Sequence, residues 1–227
     1  MKYPNFNEEK KLWNHGLSYV IGLDEAGRGP LAGPVVAAAV CLDYLKLKNL
    51  KIFENWKLEI ENLGVRDSKK LSSKKRELLY ETLTSDKFLR WGIGVVWEDI
   101  IDKVNILEAT KLAMKIAVDD IFKKYGNEAE FLIIDGNFIL PDMNISQKSI
   151  ISADSKVFSC SASGIIAKVS RDNIMKEMHL TYPDYGFDKH KGYGTKAHID
   201  ALKNLGPCKI HRKTFYPVSS IYKSQVI

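Results

Sequence analysis

Residues 18–42 read SYVIGLDEAGRGPLAGPVVAAAVCL and contain two apolar segments separated by a loop rich in glycine and proline. The first segment, residues 18–23, predicts a β-strand. The second, residues 35–42, is a continuous apolar run, which is typical of a strand buried on both faces of a sheet. Residues 24–34 hold three glycines and two prolines, which predict an irregular connection. We therefore expect a sheet that is covered by helices on both faces.

The rest of the chain alternates helical and strand-like segments. The clearest helix spans residues 105–125, because Asn105 and Glu108 have the spacing of a capping box and Gly126 ends it. Residues 43–65 show no clear periodicity and receive no assignment. The other predicted elements are a helix from Ser72 to about Leu83, strands over 90–96, 131–134 and 149–153, small residues 159–164 leading into a helix over 165–180, a loop over 182–194 and a helix capped by Thr195. This order predicts an α/β fold with a mixed sheet, a parallel crossover through the long helix and a helical C-terminal region.

Composition excludes several classes of protein. The 227 residues are 45% hydrophobic and 27% charged, which is the balance of a globular protein. No stretch reaches the ~18 apolar residues of a membrane span, and the first residues lack the apolar region of a signal peptide. The three cysteines are far apart and show no zinc-ligand spacing. We therefore expect a cytoplasmic protein with no membrane contact.

Positive charge is concentrated in two segments. The net charge is +6, yet residues 66–76 alone hold six basic side chains against one acidic side chain. Residues 187–213 hold seven basic side chains against two acidic ones. Two solvated loops would explain such runs, but a polyanion such as nucleic acid is the natural partner for them.

Carboxylates follow three apolar segments of the sequence. Asp24 and Glu25 follow the first predicted strand, Asp135 follows residues 131–134, and Asp154 follows a shorter apolar stretch. Ligand sites of open α/β sheets lie at such strand ends. Clustered carboxylates require a cation or shifted pKa values, and oxygen ligands select Mg²⁺ or Mn²⁺. The alternative is that Asp135 or Asp154 only caps the element that follows it.

The loop after the first acidic pair, Gly27-Arg28-Gly29-Pro30, is neither a P-loop nor a dinucleotide-binding fingerprint. Its glycines permit close approach of the backbone to a ligand, and Arg28 can contact a phosphate. The alternative is a connection between two strands with a solvated arginine.

Two further features favour nucleic acid. Residues 74–76 are all basic and would lie in the first turn of a helix, where cations are unfavourable unless an anion such as phosphate binds there. Within residues 182–198, aromatic and basic side chains alternate, a pattern that suits contact with sugars, bases and phosphates. We assign Tyr193, which has glycine on both sides, to such contact. Packing of the C-terminal helices is the interpretation for Tyr182, Tyr185 and Phe187.

Residues 21–40, IGLDEAGRGPLAGPVVAAAV, closely resemble the opening signature of type 2 ribonucleases H (ribonuclease HII). The resemblance continues, in the order of the family, through DSKKLS (67–72), VNILEATKLAM (104–114), IIDGN (133–137), ADSK (153–156), IIAKVSRD (165–172), YPDYGFDKHKGYGTKAH (182–198) and HRKTF (211–215). It implies a ribonuclease H-like mixed β-sheet flanked by α-helices. Residues 1–180 would form the catalytic domain, and residues 181–227 a helical region packed on it that carries a substrate-binding loop and helix.

The resemblance also implies an activity and a site. The activity is metal-dependent, two-metal-ion hydrolysis of the RNA strand of RNA–DNA hybrids and nicking of DNA 5′ of embedded ribonucleotides, which leaves a 3′-hydroxyl and a 5′-phosphate. The implied cofactor is Mg²⁺ or Mn²⁺, and no protein partner is assigned. The implied metal-binding and catalytic residues are Asp24, Glu25, Asp135 and Asp154. The residues implied to bind substrate are Gly27, Arg28 and Gly29 at the ribose 2′-hydroxyl, Tyr193 at the deoxyribose of the RNA–DNA junction, and Lys69 near the scissile phosphate.

The chain departs from the family pattern in three places. Residues 43–63 look longer than the usual connection, and Gly164 stands where a serine is common. The family commonly has Gly-Asp-Ala-Lys-Ser where this chain has Ala153-Asp154-Ser155-Lys156-Val157. Two other functions remain open at this point. A non-catalytic nucleic-acid-binding protein would explain the positive charge but not the carboxylates. An ATPase of related topology would need two glycine hairpins that bind phosphate, and the sequence shows one.

Overall fold

The computed structural model describes residues 3–126 and 129–225. Within them, one mixed sheet has its strands in the order β3-β2-β1-β4-β5. β1, β2 and β3 pair antiparallel, whereas β4 and β5 continue the sheet parallel to β1. The strands are β1 (Val20–Ala26), β2 (Val35–Leu42), β3 (Leu89–Val96), β4 (Phe131–Asp135) and β5 (Ser146–Ile150). The predicted mixed sheet is confirmed.

Helices cover both faces of this sheet. They are α1 (Asn7–Asn14), α2 (Tyr44–Asn49), α3 (Phe53–Asn62), α4 (Ser73–Ser85), α5 (Glu98–Val104), α6 (Ile106–Tyr125), α7 (Phe158–Thr181), α8 (Phe187–His190), α9 (Lys196–Leu205) and α10 (Val218–Gln225). α6 packs on one face and α7 on the other. Alternate residues of β2 belong to the two cores, and all eight are buried, so the prediction of a strand buried on both faces is confirmed.

Local signals place three helices as predicted. The Asn105 side chain accepts hydrogen bonds from the first turn of α6, and Gly126 ends that helix in a left-handed conformation. Ser72 accepts a hydrogen bond at the start of α4, and Thr195 does so at the start of α9. Each cap satisfies backbone N–H groups that have no partner within the helix.

Three local predictions were wrong, and one segment without an assignment is helical. Residues 43–65, which received no assignment, form α2 and α3, whose aromatic side chains pack with those of α1. The strand predicted at 149–153 lies at Ser146–Ile150, and two short helical segments interrupt the predicted loop 182–194. α7 begins at Phe158 rather than at residue 165. Its small residues lie inside the helix because they permit close packing on β1, where a Cβ at Gly22 would overlap Ser159.

The division into a catalytic domain, 1–180, and a helical region, 181–227, stays a prediction. Side chains from both parts share one apolar cluster, in which Met175 of α7 packs with Phe187 of α8. Residues 1–2, 127–128 and 226–227 lie outside the described residues. Among the described helices, none combines the length and the apolar character needed to cross a bilayer.

Glu9 of α1 is a buried carboxylate that joins this helix to the start of α7. Its Oε1 accepts hydrogen bonds from the backbone N and from the Oγ of Ser159, at 2.9 and 2.8 Å. Its Oε2 is buried and has no hydrogen-bond partner among the described residues. Burial raises the pKa of Glu9 to about 7. The folded protein therefore holds a proton there that the unfolded chain releases near pH 4.5.

We expect Glu9→Gln to stabilise the protein at pH 8 by roughly 1–3 kcal/mol, because the amide removes the cost of burying an ionised carboxylate. This cost is absent at any pH below the pKa of Glu9 in the unfolded chain. It grows as the pH rises and is complete above the pKa of about 7 that Glu9 has in the folded protein. Urea unfolding at several pH values measures it. Glu8→Gln is the matched control, because hydrogen bonds from Lys11 and Lys148 lower the pKa of Glu8 and the sign should reverse. A Glu9→Gln variant less stable than wild type at pH 8 would contradict the assignment.

Candidate active site

Three carboxylates meet at one edge of the sheet. Asp24 lies in β1, Asp135 is the last residue of the neighbouring parallel strand β4, and Asp154 lies in a single 3-10 turn after β5. Each offers one carboxylate oxygen within 4.8 Å of those offered by the other two. The carboxyl ends of parallel strands lie at the same edge, which brings Asp24 and Asp135 together.

Backbone hydrogen bonds hold this cluster in place. Asp135 Oδ1 accepts a hydrogen bond from the backbone N of Ala153 at 2.8 Å, which fixes the turn that carries Asp154. Asp24 Oδ1 accepts one from the backbone N of Glu25 at 2.7 Å. The prediction that Asp154 lies at the end of a strand was wrong in detail, because Asp154 lies in the turn that follows β5.

The electrostatics of the cluster favour a bound cation. Burial, together with repulsion from Glu25 and Asp135, raises the pKa of Asp24 well above its ordinary value. Burial and the charge of Asp135 likewise raise the pKa of Asp154. Carboxylates in such a cluster are most stable in the ionised form when a cation neutralises them. A donor set made only of oxygen atoms fits a hard divalent ion such as Mg²⁺ or Mn²⁺.

Glu25 lies beside the cluster of three. Its Oε1 accepts a hydrogen bond from the guanidinium of Arg28 at 3.4 Å. Burial raises the pKa of Glu25, Arg28 opposes that shift, and Asp135 adds to it. Of the four carboxylates predicted from the sequence, the structure thus gathers three, and Glu25 lies between that triad and the glycine loop.

Lys69 is held close to the same carboxylates. It lies in a 3-10 turn, Ser68–Lys70, and its backbone N donates to Asp67 Oδ1 at 2.9 Å. Burial lowers the pKa of Lys69, but attraction to Asp24, Asp154 and the other nearby carboxylates outweighs burial and raises it overall. The Lys69 ammonium thus supplies positive charge next to the triad.

The glycine loop takes its shape from two arginines that sequence reasoning did not single out. Arg212 donates to the carbonyl oxygens of Gly27 at 2.6 Å, Arg28 at 2.9 Å and Gly33 at 3.0 Å. Arg171 of α7 donates to the carbonyl oxygen of Pro34 at 2.9 Å. Both guanidinium groups are fully buried. The sequence signal that could have identified these two arginines is their position in the motifs SRD and HRKTF.

Tyr193 lies next to this loop and is 41% exposed. The Lys168 ammonium is 5.5 Å from the centre of its ring, and the Arg171 guanidinium is 5.8 Å from it. A cavity of about 310 Å³ opens beside Tyr193. Its lining holds more basic than acidic side chains: Arg76, Lys168, Lys176, Lys189 and Lys191, against Glu77 and Asp172. The packing predicted for Tyr182, Tyr185 and Phe187 is confirmed, because they form a cluster in which Tyr185 stacks on buried Phe187.

Comparison with known proteins decides the family. The family model described as ribonuclease HII matches residues 21–218. Ribonuclease HII of Chlamydia abortus is 47% identical over 214 residues, which cover 94% of this chain and 92% of that protein. This chain belongs to the ribonuclease HII family. It is therefore an endonuclease that hydrolyses RNA in RNA–DNA hybrids, and neither the binding-protein nor the ATPase alternative gains support.

Solved structures show the same fold. Ribonuclease H2 from Pyrococcus horikoshii superposes with a TM-score of 0.68 at 24% identity, covering 91% of this chain and 98% of that one. Bst-RNase HIII in complex with Mn²⁺ superposes with a TM-score of 0.64 at 19% identity, covering 92% and 71%. The predicted ribonuclease H-like sheet with flanking helices and a helical C-terminal region is thereby confirmed.

Proposed function

We propose that this ribonuclease HII uses Asp24, Asp135 and Asp154, with Glu25 beside them, to bind Mg²⁺ or Mn²⁺ and to nick DNA 5′ of embedded ribonucleotides. The observation that carries the proposal is the set of three carboxylate oxygens, from buried Asp24, half-buried Asp135 and buried Asp154, that lie within 4.8 Å of one another. These residues would hold divalent ions, which would supply a water of lowered pKa and neutralise charge at the leaving oxygen. The products are a 3′-hydroxyl and a 5′-phosphate.

The protein's own groups supply position and charge. Asp135 holds the turn that carries Asp154, so the spacing of the two carboxylates is preset before substrate binds. The charges of Asp24 and Asp154 attract the Lys69 ammonium, and we assign this ammonium to contact with the scissile phosphate. These groups thus orient the phosphodiester and balance its charge.

Recognition of the ribose is assigned to the 27–29 loop. A Cβ at Gly29 would contact no heavy atom within 4 Å, so the loop backbone there is open to a sugar. The Arg28 side chain is 46% exposed and can reach a phosphate once it leaves Glu25. The 2′-hydroxyl, which both donates and accepts hydrogen bonds, is the group that distinguishes RNA from DNA at such a loop.

Cleavage of three duplexes tests this proposal. One carries a single ribonucleotide in DNA, one is a long RNA–DNA hybrid and one is all DNA, each with Mg²⁺ or Mn²⁺ and with EDTA as control. We expect one nick 5′ of the single ribonucleotide, cutting of the hybrid, and no cutting of DNA. Cutting of the hybrid alone would overturn the assignment of embedded ribonucleotides, and activity in EDTA would overturn the metal requirement.

Tyr193→Ala should reduce cleavage at a single ribonucleotide by about tenfold or more, because its ring packs on the deoxyribose of the junction. Cutting of a long hybrid should fall much less, because its interior has no such deoxyribose on the cleaved strand. The ratio of kcat/KM on the two substrates measures this. Tyr193→Phe keeps the ring and should keep the ratio, whereas equal losses on both substrates would argue against a role at the junction.

A further inference from the structure

The 208–212 segment contacts both parts of the surface assigned to ribonucleotide recognition. Arg212 donates to the carbonyl oxygens of Gly27 and Arg28. The neighbouring His211 contacts His198, with 3.0 Å between the two Nε2 atoms. The other ring nitrogen of His198, Nδ1, is 2.9 Å from the carbonyl oxygen of Tyr193. One short segment thus connects the glycine loop and the tyrosine.

The chemistry of the partners fixes the direction of these hydrogen bonds. The backbone N–H of Cys208 donates to His211 Nδ1 at 3.0 Å, so that nitrogen carries no hydrogen. The carbonyl oxygen of Tyr193 can only accept, so His198 Nδ1 carries a hydrogen. Neutral His211 must then carry its hydrogen on Nε2 and donate it to Nε2 of His198. Only one arrangement of the two neutral rings satisfies every contact.

The surroundings keep both rings neutral. Both histidines are fully buried. His190 stacks on His198 at 4.4 Å, and Phe187 packs edge-on against the His198 ring. Burial lowers the pKa of each histidine to about 4. At neutral pH the chain of hydrogen bonds from Cys208 to Tyr193 is therefore intact.

Backbone hydrogen bonds join the same three segments. The backbone N of Arg212 donates to the carbonyl oxygen of Leu31 at 2.9 Å, and the backbone N of Leu31 donates to that of Gly192 at 2.8 Å. Leu31, which follows the glycine loop, is thus linked by backbone hydrogen bonds to both the tyrosine segment and the 208–212 segment.

We propose that His211 and Arg212 are positioning residues that set the spacing between Tyr193 and the 27–29 loop, and that this spacing determines selectivity for a single ribonucleotide. The inference rests on the proposed contacts of the loop and of Tyr193 with substrate. Neither His211 nor Arg212 is assigned to contact with the reacting phosphate. The expected effect of disturbing them is therefore a loss of selectivity and not a loss of the chemical step.

A pair of substitutions at His211 separates this role from a general effect on folding. His211→Asn keeps an acceptor for Cys208 but removes the donor to His198, whereas His211→Gln keeps a donor that can reach His198. We expect His211→Asn to lower kcat/KM on the single-ribonucleotide duplex by about tenfold, the effect of one lost hydrogen bond. The loss on the long hybrid should be much smaller, and His211→Gln should restore most of the selectivity. Equal losses on both substrates, equal behaviour of the two variants, or unchanged selectivity would overturn the proposal.

NMR of the histidine rings in the wild-type protein gives a readout that does not depend on activity. We expect a proton on Nδ1 of His198 and on Nε2 of His211. The opposite tautomers would overturn the proposal even if the enzyme nicks at ribonucleotides. A different outcome is an enzyme that has the expected tautomers but cuts only long hybrids. That outcome would refute embedded ribonucleotides as the substrate, and it would also refute selectivity as the role of the 208–212 segment.

Discussion

Asp24→Asn is expected to lower the cleavage rate of an RNA–DNA hybrid by roughly 10³-fold or more, since it removes the charge at the centre of the carboxylate cluster. Asp24 is the member of the cluster that both Glu25 and Asp135 repel, and it is buried. An amide cannot supply the negative charge that a divalent ion requires. Single-turnover cleavage with saturating Mg²⁺ or Mn²⁺ measures the effect on the chemical step.

The fold of the Asp24→Asn variant should be intact and more stable than wild type at neutral pH without metal. Burial raises the pKa of Asp24, so the ionisation of this carboxyl group opposes folding at any pH above the ordinary pKa of an aspartate. Asp142→Asn is the matched control, because that carboxylate is 90% exposed and should be cleavage-neutral. Wild-type cleavage by Asp24→Asn would refute the metal assignment.

Gly27→Ala is expected to destabilise the protein by about 2–4 kcal/mol and to remove most cleavage, because the glycine loop cannot accept a side chain there. Gly27 has φ +99°, a conformation that favours glycine. Its Cβ would overlap the buried guanidinium of Arg171 and lie 2.8 Å from the carbonyl oxygen of Pro34. Urea unfolding and cleavage of the single-ribonucleotide duplex measure the two losses.

Gly29→Ala is the comparison that separates structure from recognition. A Cβ at Gly29 meets no heavy atom within 4 Å, so stability should change by less than about 0.5 kcal/mol. Cleavage at a single ribonucleotide should nevertheless fall, because the added methyl group occupies space assigned to the ribose. If Gly29→Ala cleaves as wild type, that assignment is wrong; if Gly27→Ala is as stable as wild type, the loop geometry is wrong.

Features set by neighbouring residues were predictable from the sequence. The cap at Asn105, the stop at Gly126 and the unbroken apolar run of β2 each act within a few residues, and the structure confirms them. Asp135 at the end of β4 belongs to the same class, because a strand end and its neighbours fix its position.

Features set by distant contacts were not predictable in this way. Arg212 reaches the carbonyl oxygen of Gly27 across 185 positions of sequence, and no local pattern reports that bond. The start of α7 was predicted wrongly because its small residues are also typical of a loop. The close approach of α7 to β1 explains why these residues are small within a helix.

The most direct test of the central claim is the position of manganese in crystals grown with Mn²⁺ and measured with anomalous diffraction. We expect an anomalous peak contacted by carboxylate oxygens of Asp24, Asp135 and Asp154, and we expect the Asp24→Asn variant to lose this peak. A peak bound elsewhere, with the three carboxylates free of metal in an enzyme that cleaves under the same conditions, would contradict it.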